Sequence, residues 1–225
     1  MVRTISEILK GKKGKCTPEA EKEFENGEKL PLVEDFYSIQ GEGFHAGKPA
    51  YFVRLGGCDI GCNWCDTKFA WDRELHPLVD VETIVEKAAS CPSRSVVVTG
   101  GEPFSYPLDF LCHSLANRGL RLYVETSGAY PLTGEWDWIC LSPKRQSPPL
   151  QEFYEQANEL KVIIEKSSDF EWAEENALKV KCGCALNLQP EWSNFKKILP
   201  LIVEYVKKHP HWCVSIQAQR FMKIP

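Results

Sequence analysis

From Leu32 to the end of the chain, short apolar runs alternate with amphipathic stretches, and few folds accommodate that order. The runs AYFVRLGG (50–57), SVVVTGGEP (95–103), LRLYVETSG (120–128), WDWICLSPK (136–144), VKCGCALNLQP (180–190) and WCVSIQAQ (212–219) read as strands. ANELKVIIE (157–165) holds another. Between them, 79–90, 108–119, 170–178 and 194–210 read as helices. In the first, Val81, Ile84, Val85 and Ala88 recur at helical spacing and Asp80 stands where a cap belongs. Gly119 suits the end of the second. Strand–helix alternation with nearly continuous apolar strands implies a parallel sheet covered by helices. About six such units fall short of a closed eight-fold barrel, which needs about 250 residues. No G-x-G-x-x-G follows the first strand, so a dinucleotide-binding sheet lacks its fingerprint. The expected fold is an incomplete, open β/α barrel of mostly parallel strands. Barrels place their chemistry at the C-terminal ends of strands. Here those ends carry GGC, TGGEP, ETSG, SPK and QPEW.

Residues 1–31 are almost entirely charged and small, and are expected to form a polar extension to a core domain of residues 32–225. A short helix from Thr17 to Phe24, with Thr17 as N-cap and Pro18 in its first turn, is expected within it. The net charge of −4 argues against a nucleic-acid-binding surface. No apolar run approaches the roughly 20 residues of a membrane helix, and the basic N-terminus lacks the apolar core of a secretory signal. The chain is therefore expected in the cytoplasm, where thiols stay reduced. Its ten cysteines are then metal ligands, reactive thiols or core filler before they are disulfides.

Three of them fall within eight positions: Cys58, Cys62 and Cys65, spaced C-x3-C-x2-C beside Gly56, Gly57 and Gly61. Free cysteines are often simply buried, but packing alone is a poor reason for three in one loop. Structural zinc takes four ligands. Cys182 and Cys184 could complete such a set, but they lie in a run that reads as a strand and are expected to pack in the core. A 4Fe–4S cluster usually takes four thiolates, so three would leave one iron open to an outside ligand. Cys16, Cys91, Cys112, Cys140 and Cys213 are read as non-ligands, as are Cys182 and Cys184.

The loop, with Trp64 just before the last cysteine, resembles the cluster loop of the radical S-adenosylmethionine (SAM) enzymes, and TGGEP resembles their glycine-rich SAM-binding motif. The resemblance implies a partial β/α barrel, a 4Fe–4S cluster on Cys58, Cys62 and Cys65, and SAM chelating the open iron. An electron from the cluster then cleaves SAM to a 5′-deoxyadenosyl radical. The carbonyls of a Gly-Gly turn and the Glu102 carboxylate are acceptors suited to SAM's amino group. The stretch FYSIQGEGFHAGKPAYFVRLGGC (36–58) further resembles the N-terminal signature of the 7-carboxy-7-deazaguanine synthases. That likeness extends from about Leu32 to Pro225.

This family resemblance implies a homodimeric carbon–nitrogen lyase of queuosine and 7-deazapurine biosynthesis. It would convert 6-carboxy-5,6,7,8-tetrahydropterin to 7-carboxy-7-deazaguanine with loss of ammonia. SAM would serve as a regenerated cofactor, Mg2+ would assist, and an external donor of the flavodoxin or ferredoxin class would supply electrons. Carried over by position, Ile39, Gln40 and Gly41 match the substrate segment, with Glu42 a neighbouring candidate. A pterin's guanine-like edge needs paired donors and acceptors, which a Gln amide offers. Arg54 interrupts an apolar strand and suits the substrate carboxylate. Thr99 and the terminal Pro225 match further substrate contacts. Thr67 matches a Mg2+ ligand. Trp64, Cys65 and Asp66, Gly101, the SPK residues Ser142, Pro143 and Lys144, and the run Gln189, Pro190, Glu191 and Trp192 match SAM contacts. Glu125 and Ser127 are expected at the same mouth. The chain departs from the family in its tail, where Gln219-Arg220 stands in place of the usual His-Lys pair. Two rival readings remain at this level: a glycyl-radical-enzyme activase, and a non-enzymatic iron–sulfur or zinc module.

Overall fold

The structure is a computed structural model that describes residues 24–225. Most of the expected extension lies outside the described residues, with Cys16 and the helix start expected at Thr17 and Pro18. The described residues form nine strands: β1 (Lys29–Ile39), β2 (Pro49–Leu55), β3 (Leu78–Asp80), β4 (Ser95–Gly100), β5 (Arg121–Thr126), β6 (Trp138–Leu141), β7 (Glu159–Ile164), β8 (Ala185–Pro190) and β9 (Trp212–Val214). The α-helices are α1 (Val81–Ser90), α2 (Asp109–Asn117), α3 (Gln151–Gln156), α4 (Asp169–Ala177), α5 (Phe195–Lys208) and α6 (Ala218–Met222). The strands form one sheet in the order β3-β1-β2-β4-β5-β6-β7-β8-β9. From β2 to β9 every pairing is parallel. Only β1 runs antiparallel to its neighbours β2 and β3. The sheet ends at β3 and β9 and does not close, as the open-barrel reading expects.

Side chains alternate across a strand, and this divides the sheet sharply. Val53 and Leu55, Val96 and Val98, Leu122 and Val124, Leu160 and Val162, and Leu188 share one core with Ile84 and Val85 of α1, Leu111 and Leu115 of α2, and Ile198 and Ile202 of α5. Burying each such side chain contributes about 1.5–3 kcal/mol, so this face holds the helices to the sheet. The intervening residues point the other way. Near the start of the strands that second face is apolar, with Ala50, Phe52 and Val97 buried together. Toward the C-terminal ends it becomes polar.

The structure corrects several expectations. β1 begins at Lys29, and Leu30 within it is fully buried. Asp80 stands at the N-cap of α1 but makes no capping bond; it faces Lys29 at 3.7 Å, and the Val81 N–H instead reaches the Glu28 carbonyl at 2.9 Å. Cys182 and Cys184 do not lie in a strand. They flank Gly183, which turns at φ 84°, and β8 starts only at Ala185. Cys182 is consequently exposed rather than packed, while Cys184 rests against the core. The run 212–219 is strand only as far as Val214, because the chain then leaves the sheet edge and forms α6.

Candidate active site

The polar residues that interrupt the apolar strands share the face away from the helices. Arg54 of β2 pairs in register with Thr99 of β4, and Ile163 of β7 with Gln189 of β8. Glu125 of β5 and Lys161 of β7 project to the same side, and a cavity of about 270 Å³ opens over them. It gathers Ile39, Gln40, Gly41, Glu42, Arg54, Thr99 and Pro225, which were assigned to substrate. Cys58, Cys62, Trp64, Cys65, Asp66, Thr67, Gly101, Glu102, Ser142, Lys144 and the run Gln189–Trp192 line it as well. Pro143 does not. It turns to a neighbouring hollow behind the cysteine loop, beside Arg145 and Trp172.

Two backbone segments are laid directly against each other at the mouth. The Gly101 N–H reaches the Leu55 carbonyl at 2.8 Å and the Glu102 N–H reaches the Gly57 carbonyl at 2.8 Å. A Cβ on Gly101 would sit 2.1 Å from the Gly57 oxygen, and Gly100 holds a φ of 128°. Glycine is therefore required for TGGEP to meet the cysteine loop. That loop is anchored from its far side by Gly57 and Cys58, whose N–H groups bond the carbonyls of Ala70 and Trp71 at 2.7 and 3.0 Å.

The three sulfurs face one wall of the cavity. Gln146 Nε2 donates to Cys62 Sγ at 3.3 Å and Trp71 Nε1 donates to Cys65 Sγ at 3.4 Å. Burial pushes the Cys58 thiol up to about 12; the Ile60 backbone N–H works against this, and the Glu102 carboxylate and the two other sulfurs add to it. Burial also raises Cys62, against the pull of Lys144. Raised thiols such as Cys58 and Cys62 are poor nucleophiles. A metal group bonded to all three would hold them as thiolates, and the N–H donors already point at sulfur. The donor set fits an iron–sulfur cluster.

Glu102 lines the cavity and is also engaged by the chain itself. It is only 2% exposed. Its Oε1 accepts from Thr126 Oγ1 at 2.6 Å and Phe104 N at 3.3 Å, and its Oε2 from Ser127 N at 2.8 Å and Ser127 Oγ at 2.5 Å. Four donors fill the roughly four acceptor positions of a carboxylate. Glu102 thus braces the ETSG turn.

The substrate side is organised around a buried lysine. Lys161 Nζ lies 2.7 Å from Glu42 and 3.3 Å from Glu125. Gln189, Gln217 and Gln219 each donate to Glu42 at 2.9 Å. Gln40 donates to Glu125 at 2.9 Å. Burial opposes charge on Glu42, but Lys161 and the amides outweigh it and hold the carboxyl well below its usual range. Burial likewise opposes charge on Lys161, and Glu125 and Glu42 reverse that. Arg54 spends Nε on Glu34 at 2.8 Å and makes no other hydrogen bond or ion pair among the described residues. The tail closes the remaining side: Arg220 reaches Asp66 at 2.6 Å and lies 4.5 Å over the Trp192 ring, and Ser38 donates to the Pro225 carbonyl at 3.3 Å.

Sequence reading missed Lys161 and Gln217, and noted Gln219 and Arg220 only as a departure in the tail. Lys161 carried a usable signal, since a cation inside the apolar run LKVII parallels Arg54 inside AYFVRL. Gln217 carried none.

Residues 52–181 match the model of the radical SAM superfamily. The chain is 50% identical over 209 residues to the 7-carboxy-7-deazaguanine synthase of Flavobacterium psychrophilum, covering 93% of this chain and 99% of that one. It is 47% identical over 194 residues to the enzyme of the same name from Synechocystis sp., covering 86% and 93%. The crystal structure of QueE from Escherichia coli superposes with a TM-score of 0.75 at 29% identity, covering 87% of this chain and 96% of that one.

Proposed function

Because the chain belongs to the radical SAM superfamily and, within it, to the 7-carboxy-7-deazaguanine synthases, we propose that the lining residues of its cavity divide that synthase reaction as follows. The reaction is the conversion of 6-carboxy-5,6,7,8-tetrahydropterin to 7-carboxy-7-deazaguanine with loss of ammonia. Superfamily membership implies a 4Fe–4S cluster and SAM. When bound, they supply the one-electron cleavage that begins hydrogen abstraction from the substrate.

Cys58, Cys62 and Cys65 would hold the cluster, with Trp71 and Gln146 donating to two of the sulfurs. The Gly100–Gly101 backbone, Trp64, Asp66, Ser142, Lys144 and the Gln189–Trp192 run would hold SAM. Since Glu102 is saturated by Thr126, Ser127 and Phe104, backbone carbonyls take over the acceptor role it was expected to fill. Arg54 offers its two terminal nitrogens to the substrate carboxylate, because Glu34 engages only Nε. Gln40 and Thr99 present donors and acceptors to the pterin edge, Glu42 sets Lys161, Gln189, Gln217 and Gln219 around that edge, and Pro225 closes that end. The Thr67 hydroxyl, 3.4 Å from Cys65 Sγ, would contribute one oxygen to Mg2+. A homodimer, an electron donor of the flavodoxin or ferredoxin class and a cytoplasmic location belong to the same reading.

The observation that carries this division is one cavity lined by the three cysteines, the TGGEP strand end and the Arg54 and Lys161 side chains. It is tested by counting iron and sulfide after anaerobic reconstitution of the wild type and of Cys62→Ala. Four irons and turnover are expected for the wild type, and loss of both for the variant. Full activity in Cys62→Ala would refute the ligand assignment.

A further inference from the structure

Glu174 of α4, His209 at the end of α5 and His211 just before β9 bring their ligand atoms within 4.8 Å of one another. None of the three lines the cavity. The Glu174 carboxylate oxygens lie 4.0 Å from His209 Nδ1 and 3.5 Å from His211 Nε2. We propose that these three residues form a second metal site, selective for Zn2+ over Mg2+, that staples α4 and α5 to the last strand.

The donor set is two imidazoles and one carboxylate, which suits zinc; Mg2+ prefers oxygen alone. Bonds of about 2.1 Å at tetrahedral angles put neighbouring ligand atoms about 3.4 Å apart. The present spacing therefore needs a contraction of about 1.4 Å at most. His211, whose side chain is 51% exposed, is free to supply it.

The other two ligands are already oriented from behind, as supporting groups orient ligands in metal sites. Glu174 Oε1 accepts from Tyr205 Oη at 2.7 Å and from Trp212 Nε1 at 2.9 Å, and Trp212 is buried. Partial burial works against charge on Glu174, but these bonds and His211 keep its carboxyl below the usual range. The His209 ring stacks on Tyr205 with centroids 4.0 Å apart, and Tyr205 stacks in turn on Phe170 of α4. The His209 backbone N–H closes α5 on the Tyr205 and Val206 carbonyls. His211 stands next to Trp212, the first residue of β9. Beyond β9, Ser215 donates to Gln189 at 2.7 Å, so the stapled segment leads directly into the cavity wall.

Cluster-loaded enzyme is used for the test, so that Cys58, Cys62 and Cys65 are engaged. Zn2+ is titrated calorimetrically into the wild type, His209→Ala and His211→Ala, with Mg2+ as control, and zinc per chain is counted by elemental analysis. One zinc per wild-type chain, at least tenfold weaker binding in each variant, and a zinc-dependent rise in Tm confined to the wild type are expected. Absence of zinc beyond the cluster site overturns the proposal. Equal zinc affinity in wild type and variants overturns it too, placing the metal elsewhere, for example on exposed Cys182 or Cys213.

Discussion

Replacing Lys161 with methionine keeps the length of the side chain and removes the cation that Glu42 and Glu125 share. The Lys161 side chain is 5% exposed, Glu42 14% and Glu125 25%, so little water is at hand to take its place. Removing one partner of a buried ion pair costs about 3–5 kcal/mol, because the remaining charge is left without compensation. For a chain of this size that corresponds to a Tm lower by about 10 °C. The loss also depends on pH in a defined direction. In the wild type the Glu42 pKa is depressed, so its contribution is present above the ordinary carboxylate range and fades as pH falls through the lowered value. The raised Lys161 pKa keeps that side constant until strongly alkaline pH. In Lys161→Met only the glutamine amides still oppose burial at Glu42, so its pKa rises from the wild-type position, and a neutral carboxyl no longer needs the lysine. The deficit should thus be largest near pH 7.5 and shrink toward pH 5. Anaerobic urea unfolding of the reconstituted enzyme, followed by tryptophan fluorescence at both pH values, measures it. Equal midpoints for wild type and variant at pH 7.5, or a deficit that is unchanged at pH 5, would refute the reasoning.

Arg54→Ala should raise KM for the pterin roughly ten- to hundredfold, since a charge-assisted contact is worth about 1.5–3 kcal/mol; unchanged steady-state constants would remove Arg54 from the site. Glu102→Gln places an amide where the carboxylate accepts four bonds. It should lower stability by about 1–3 kcal/mol, read as a reduced Tm, because a buried donor of Ser127 or Thr126 loses its acceptor. An unshifted Tm would contradict the bracing role.

The parallel part of the sheet was legible because its strands are β-branched runs buried on the helix face, and their ends stop at glycine, proline or serine. Arg54 was legible for the same reason, as a charge in the last positions of such a run, whereas Thr99 was reached only through the family resemblance. β1 was harder. KLPLVEDFYSI mixes charges with apolar residues because it pairs antiparallel and much of it is only half buried. The partners of Lys161 were hidden because they come from β5 and from the turn after β1, distant in sequence. The closure of the tail was hidden because Gln217 and Gln219 reach Glu42 through tertiary contacts that no local pattern marks. The cysteine spacing pointed to the sulfurs, but only the fold shows Gly101 pressed against Gly57 beside them.

Anaerobic turnover of the reconstituted enzyme with 6-carboxy-5,6,7,8-tetrahydropterin, SAM, a reductant and Mg2+ tests the catalytic assignment most directly. Mass spectrometry should show 7-carboxy-7-deazaguanine and an equal amount of ammonia, with the SAM concentration unchanged. Absence of that product, with SAM-dependent radical formation on a partner protein instead, would contradict it.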